Sequence, residues 1–142
     1  MSQIFAIRAG RTRKGFSFVE LSVVIGIIGV LAAFGVPRFF KSVERSKASE
    51  AFRYLNSVRV AQERYHARQD TYADDVTKLD MAQTPPTDFT VGVIRQTENS
   101  WSCTLTRSGA SVGLEYNVIF TEDGFDATST IPDDLNPHVD AG

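Results

Sequence analysis

Among 142 residues there is one cysteine, Cys103, one tryptophan, and two histidines, His66 and His138. A single cysteine rules out an intramolecular disulfide, a CxxC redox pair and a thiolate zinc site. It leaves two readings for Cys103: a link between chains, or a small buried residue in a strand. The two histidines have no nucleophile, phosphate-binding loop or ligand cluster around them, so His66 reads as a helix-surface residue and no enzymatic activity is expected. Charge is missing altogether from Leu21 to Val36, 16 residues, and proline is missing from everything before Pro37.

The charge that is present is unevenly placed. Residues 1–15 carry Arg8, Arg11, Arg13 and Lys14 and no acid; residues 16–69 carry eight bases and four acids; residues 70–142 carry three bases and thirteen acids. The net charge of −2 therefore hides a basic leader, a basic middle and an acidic C-terminal half. The middle has no groove-reading motif and the acidic half would repel phosphates, so specific nucleic-acid binding is not expected. The split instead predicts that the basic stalk of one copy is attracted to the acidic head of another, an interaction that salt would screen.

Phe16 to Val36 spans 21 residues, about 32 Å as a helix, which matches the hydrocarbon thickness of a bilayer. Its only charge is Glu20, near its start. A carboxylate at membrane depth costs roughly 2.5–3.5 kcal/mol on insertion scales, so it persists where it has a partner. Three readings compete. A plain anchor leaves Glu20 unexplained unless it sits at the interface. A secretory signal, with Leu21 to Leu31 as its apolar region and cleavage near Ala33-Phe34-Gly35, puts an acid where none belongs. The third reading rests on a resemblance. Lys14-Gly15-Phe16-Ser17-Phe18-Val19-Glu20-Leu21, followed by an apolar run to Pro37, resembles the cleavage and methylation site of class III prepilins, over roughly residues 13–55.

The resemblance to type IV pilins and pseudopilins implies several things. A prepilin peptidase cuts after Gly15, preceded by the basic pair Arg13 and Lys14, and N-methylates Phe16; residues 1–15 are then a leader. Glu20 of one subunit meets the Phe16 amine of its neighbour, setting register as one polar residue does in a coiled coil. The helix from Phe16 through Pro37 forms the filament core, and its small residues Gly29 and Ala33 allow close approach of neighbours. The expected partners are further copies in a helical filament, the peptidase, an inner-membrane assembly platform, other minor pilins or pseudopilins, and lipid before assembly. The expected location is the bacterial inner membrane, single-pass, then an extracellular pilus or a periplasmic pseudopilus. A non-polymerising binding domain, secreted or singly anchored, is the rival from another class.

Residues 38–69 read as an amphipathic stalk helix. Val43, Ala48, Ala51, Phe52, Leu55, Val58, Ala61 and Tyr65 recur by threes and fours, with one gap of five. Asp70 to Asp88 reads as a connecting loop that varies among pilins, with a helical turn over Asp74–Leu79 capped by an aspartate and with Tyr72 and Leu79 covering the stalk. Strands follow in the alternations Phe89/Val91/Val93, Trp101/Cys103/Leu105, Leu114/Tyr116/Val118/Phe120 and Phe125/Ala127, with turns at Ser108-Gly109 and Glu122-Asp123-Gly124. The predicted class is α+β and pilin-like: one long N-terminal helix, half membrane and half amphipathic, packed on an antiparallel sheet of about four strands. The globular head is expected over 70–131, with a loose acidic tail over 132–142. Glu122, Asp123, Asp126, Asp133 and Asp134 supply oxygens of the kind that bind calcium in the C-terminal loop of major pseudopilins, but without an ordered ligand pattern; no cofactor is expected.

Overall fold

The computed structural model describes residues 15–108 and 115–139. The leader pair Arg13 and Lys14, the turn residue Gly109 and the strand residue Leu114 lie outside the described residues. The chain divides into two compact units at Arg38. One helix, α1, is assigned over Phe18–Gln69. Its part up to Arg38 belongs to the first unit, and the rest to the second together with all the strands.

In the second unit, α1 offers the stripe the periodicity predicts. Ala48, Ala51, Phe52, Leu55, Val58 and Ala61 are buried. Val43 departs from the expected stripe and is 36% exposed. Gln62 sits where the stripe calls for an apolar residue and is completely buried. Its amide donates to the Ala73 carbonyl and accepts from the Ala73 N–H, both at 2.8 Å. One side chain thus satisfies both backbone groups of the loop that folds back from the end of α1. Gln62→Leu strands both groups in the core and should lower unfolding stability by about 2 kcal/mol, read from urea denaturation of the full chain.

Residues 70–88 follow the sequence reading. Asp70 ends α1 in the left-handed region (φ 57°), a conformation aspartate tolerates, and its N–H donates to His66 O. A 3-10 turn spans Val76–Lys78, capped by the Asp75 carboxylate on the Thr77 N–H at 2.8 Å. Tyr72 and Leu79 are buried against the core.

The sheet is antiparallel, with β1 (Phe89–Val91), β2 (Arg95–Gln96), β3 (Trp101–Arg107), β4 (Asn117–Thr121) and β5 (Gly124–Phe125). The order is β1-β3-β4-β5, with β2 also on β3, so five strands occupy four positions. Trp101, Cys103, Leu105, Val118 and Phe120 point inward and are buried. Phe52 of α1 meets Phe120 edge-on at 5.6 Å and stacks on Phe125 at 5.3 Å.

The expected alternation Phe89/Val91/Val93 breaks at its last member. β1 pairs Val91 with Leu105, whereas β2 pairs Arg95 with Ser102, so four residues on one side advance the register by three on the other. The extra residue is a β-bulge, and it inverts the side-chain phase. Val93 is turned out to 82% exposure and Ile94 takes the buried place. Gly92 permits the kink: a Cβ there would stand 3.0 Å from the Thr104 carbonyl oxygen. Tyr116 is buried as expected but precedes β4, and β5 stops at Phe125, leaving Ala127 exposed outside it.

The C-terminal segment is not loose as far as it is described. Ile131, Leu135 and Asn136 are buried, and the His138 ring stacks on Phe125 at 5.5 Å beside Phe52. Cys103 is completely buried, and burial raises its thiol pKa to about 12. A link between folded chains through Cys103 is therefore closed off. Native protein should resist a maleimide reagent at pH 8 and react only after unfolding, which mass spectrometry would report.

Part of the basic-to-acidic attraction is consumed within the chain. Lys41 pairs with Asp134 at 2.6 Å and Lys47 with Asp88 at 3.1 Å. More deeply, the Arg107 guanidinium at the end of β3, 2% exposed, donates to both Glu44 oxygens at 2.5 and 3.1 Å and to the Asp88 and Ser108 carbonyls. The Tyr116 hydroxyl donates to the same Glu44 carboxylate at 3.1 Å. Three head segments are thereby tied to one short stretch of α1.

Candidate functional site: the N-terminal assembly segment

The first unit shows how sequence starts a helix here. Gly15 to Ser17 are non-helical and α1 begins at Phe18, which makes Ser17 the N-cap and Glu20 the third helical residue. Ser-x-x-Glu is the capping-box spacing. The Glu20 carboxylate reaches back to accept from the Ser17 N–H at 3.3 Å, one half of that box. The negative side chain also lies at the positive end of the helix dipole. Ser22 disposes of its hydroxyl by donating to the Phe18 carbonyl at 2.9 Å, so it adds no unpaired polar group to an apolar helix.

Along the rest of this segment the side chains are uncovered. Phe16 and Phe18 are each 83% exposed, and Ile25, Ile28, Leu31 and Phe34 are all more than half exposed. A window of α1 reaches a mean hydropathy of 2.4 with none of it buried, the property of a helix able to cross a membrane. Exposing this much apolar surface to water is untenable; lipid or other helices must cover it. No Cβ added at Gly26, Gly29 or Gly35 would meet another atom within 4 Å, so these glycines are gaps on the helix surface that a close neighbour can enter. Pro37 lies inside the helix.

Of the predicted site residues, Gly15, Phe16, Glu20 and Pro37 are described and Arg13 and Lys14 are not. Glu20 is placed by its own helix start, a role the capping-box spacing carries. As long as Gly15 is attached, Phe16 has an amide and no amine; the charged partner attributed to Glu20 is created only by cleavage. Among the described residues no three His, Cys, Asp or Glu side chains converge as metal ligands. Three of the five acids named for calcium have other contacts: Glu122 accepts from the Trp101 N–H, Asp126 from Thr128, and Asp134 pairs with Lys41.

A family model described as the prokaryotic N-terminal methylation motif matches residues 10–36. The type IV major pilin protein PilA of Myxococcus xanthus is 39% identical over 69 residues, which is 49% of this chain and 31% of that protein. The fimbrial protein EcpC of Eikenella corrodens is 29% identical over 74% of this chain and 71% of its own length. The type IV wide pilus major component PilA4 of Thermus thermophilus is 29% identical over 72% of this chain and 79% of its own. The chain thus spans about a third of the Myxococcus relative and most of the other two. No solved structure matches it significantly. A capped apolar helix with a single acid, a methylation motif over its start and an amphipathic half packed on an antiparallel sheet accompany this likeness to type IV pilins and fimbrial proteins.

Proposed function

We propose that the chain is a structural subunit of a type IV pilus, drawn from a membrane pool and polymerised through α1. The observation that carries this is the uncovered apolar helix of the first unit, whose one carboxylate stands in its first turn. In this reading a prepilin peptidase cuts after Gly15 and methylates the Phe16 amine. The leader, with Arg13 and Lys14 before the cut, lies on the cytoplasmic side, and the helix waits in the inner membrane. An assembly platform then lifts it into the filament, where Glu20 takes the Phe16 amine of a neighbour and the run to Pro37 packs among other copies. Minor pilins are the further partners. The chain performs no catalysis; it is itself the peptidase's substrate. The major pilin and fimbrial names of its relatives favour a pilus over a secretion pseudopilus.

Mass spectrometry of the mature N-terminus tests this. The expected species begins with N-methylated Phe16. A chain beginning at Val36 would replace the reading with an ordinary signal peptide, and a chain retaining residues 1–15 would replace it with a plain anchor.

A further inference from the structure

The outer face of the sheet, turned away from α1, holds a concavity of about 530 Å³ that filament formation does not explain. The bulge builds one wall, since it turns Val93 outward beside Gly92, and bulges commonly re-aim side chains at sites. The floor is Ser102 and Thr104 of β3 with Ile119 of β4, in register as Thr104 opposite Ile119. Arg95 on β2 and Asp126 just after β5 stand at opposite edges. Several of these polar groups have unspent capacity within the described residues. Asp126 commits one carboxylate oxygen to the Thr128 N–H and hydroxyl, which also hold its pKa below the usual range and keep it an ionised acceptor. Asn117 accepts from the Thr130 N–H through its oxygen, leaving its two amide hydrogens to donate.

We propose that this concavity binds a neutral saccharide unit. An anion would be repelled by Asp126 and by a C-terminal half with thirteen acids against three bases. A cation would meet Arg95. A neutral polyol satisfies both edges, donating hydroxyls to Asp126 and accepting from Arg95 and the Asn117 amide, while Ser102 and Thr104 do either. Val93 and Ile119 supply apolar surface for the C–H face of a sugar ring. The proposal concerns the outer face of the head alone and does not depend on the filament reading.

The test is titration of the full chain in detergent with maltose, lactose and cellobiose, followed by amide NMR. At least one should saturate with a dissociation constant of about 1 mM, the level that a few exposed neutral hydrogen bonds support. Its shifts should concentrate on β2, β3 and β4 and should be insensitive to salt. Thr104→Val and Arg95→Gln, with unchanged Trp101 fluorescence as the check on folding, should each weaken binding about fivefold. The proposal is overturned if none of the three sugars saturates, if both variants bind as the parent does, or if salt abolishes the binding.

Discussion

Glu20→Ala should leave the chain inserted in the membrane and cut after Gly15, and should reduce filament yield at least tenfold. Removing a carboxylate from an apolar helix makes insertion easier, since that group alone costs roughly 2.5–3.5 kcal/mol at membrane depth. On the proposed function the loss arises at assembly, where the Phe16 amine would enter an apolar core with no counter-charge. An ammonium left unpaired there costs several kcal/mol, and each 1.4 kcal/mol is a factor of about ten. Alanine also removes the acceptor at 3.3 Å from the Ser17 N–H, which weakens the helix start by about 1 kcal/mol. Glu20→Gln separates the two effects, because glutamine still accepts from Ser17 but carries no charge. The expected result is a restored helix start and no restored filament, read as sheared pilin against the cell-associated pool. Normal filaments from the glutamine variant would mean that capping, and not the ion pair, is what assembly needs.

Legibility in the sequence differed from place to place, for identifiable reasons. α1 was readable to its last residue because threes-and-fours spacing is a property of the helix alone. The strands around Cys103 and Phe120 were readable because strict alternation survives wherever the register is unbroken. Val93 was not, because a bulge inverts phase without changing composition; Gly92 inside the alternation was its trace in the sequence. The C-terminal segment looked loose because two prolines and several acids outweighed Ile131 and Leu135, four residues apart, which are among the side chains that pin it. At the assembly segment the lone acid stood out, but the cap it makes with Ser17 went unread, although the Ser17-x-x-Glu20 spacing was the signal for it. The contacts of Glu44, Gln62 and Arg107 were hidden, because each depends on a residue 11 to 72 positions away.

That hidden set holds the largest stability effect. Glu44→Ala should lower unfolding stability by about 3 kcal/mol, shifting the urea midpoint by about 2 M with Trp101, the single tryptophan, as reporter. The guanidinium of Arg107 is 2% exposed and would lose both oxygens of its principal carboxylate, and Tyr116 would lose its acceptor. Breaking a buried pair by deleting one partner costs roughly 3–5 kcal/mol, and Asp88, 3.5 Å from Arg107, holds the expected loss to the lower end. Replacing both ends, as Glu44→Leu with Arg107→Leu, should be less damaging than the single change, because no buried charge is left over. The pair also fixes the acid response. Arg107, first through its hydrogen bonds, holds the Glu44 carboxyl below its usual pKa, so the folded state binds its proton less readily than the unfolded state. This stability is present in full above the unfolded value near pH 4.3 and fades as pH falls through the folded value. Glu44→Gln, which keeps the hydrogen-bonding shape without the charge, should flatten that part of the pH profile between about pH 5 and pH 2. An unchanged acid limb in Glu44→Gln would assign the acid sensitivity elsewhere, to Asp74, Asp75, Asp126 or Asp134, whose carboxyls are also held low by Lys78, Thr77, Thr128 and Lys41 respectively.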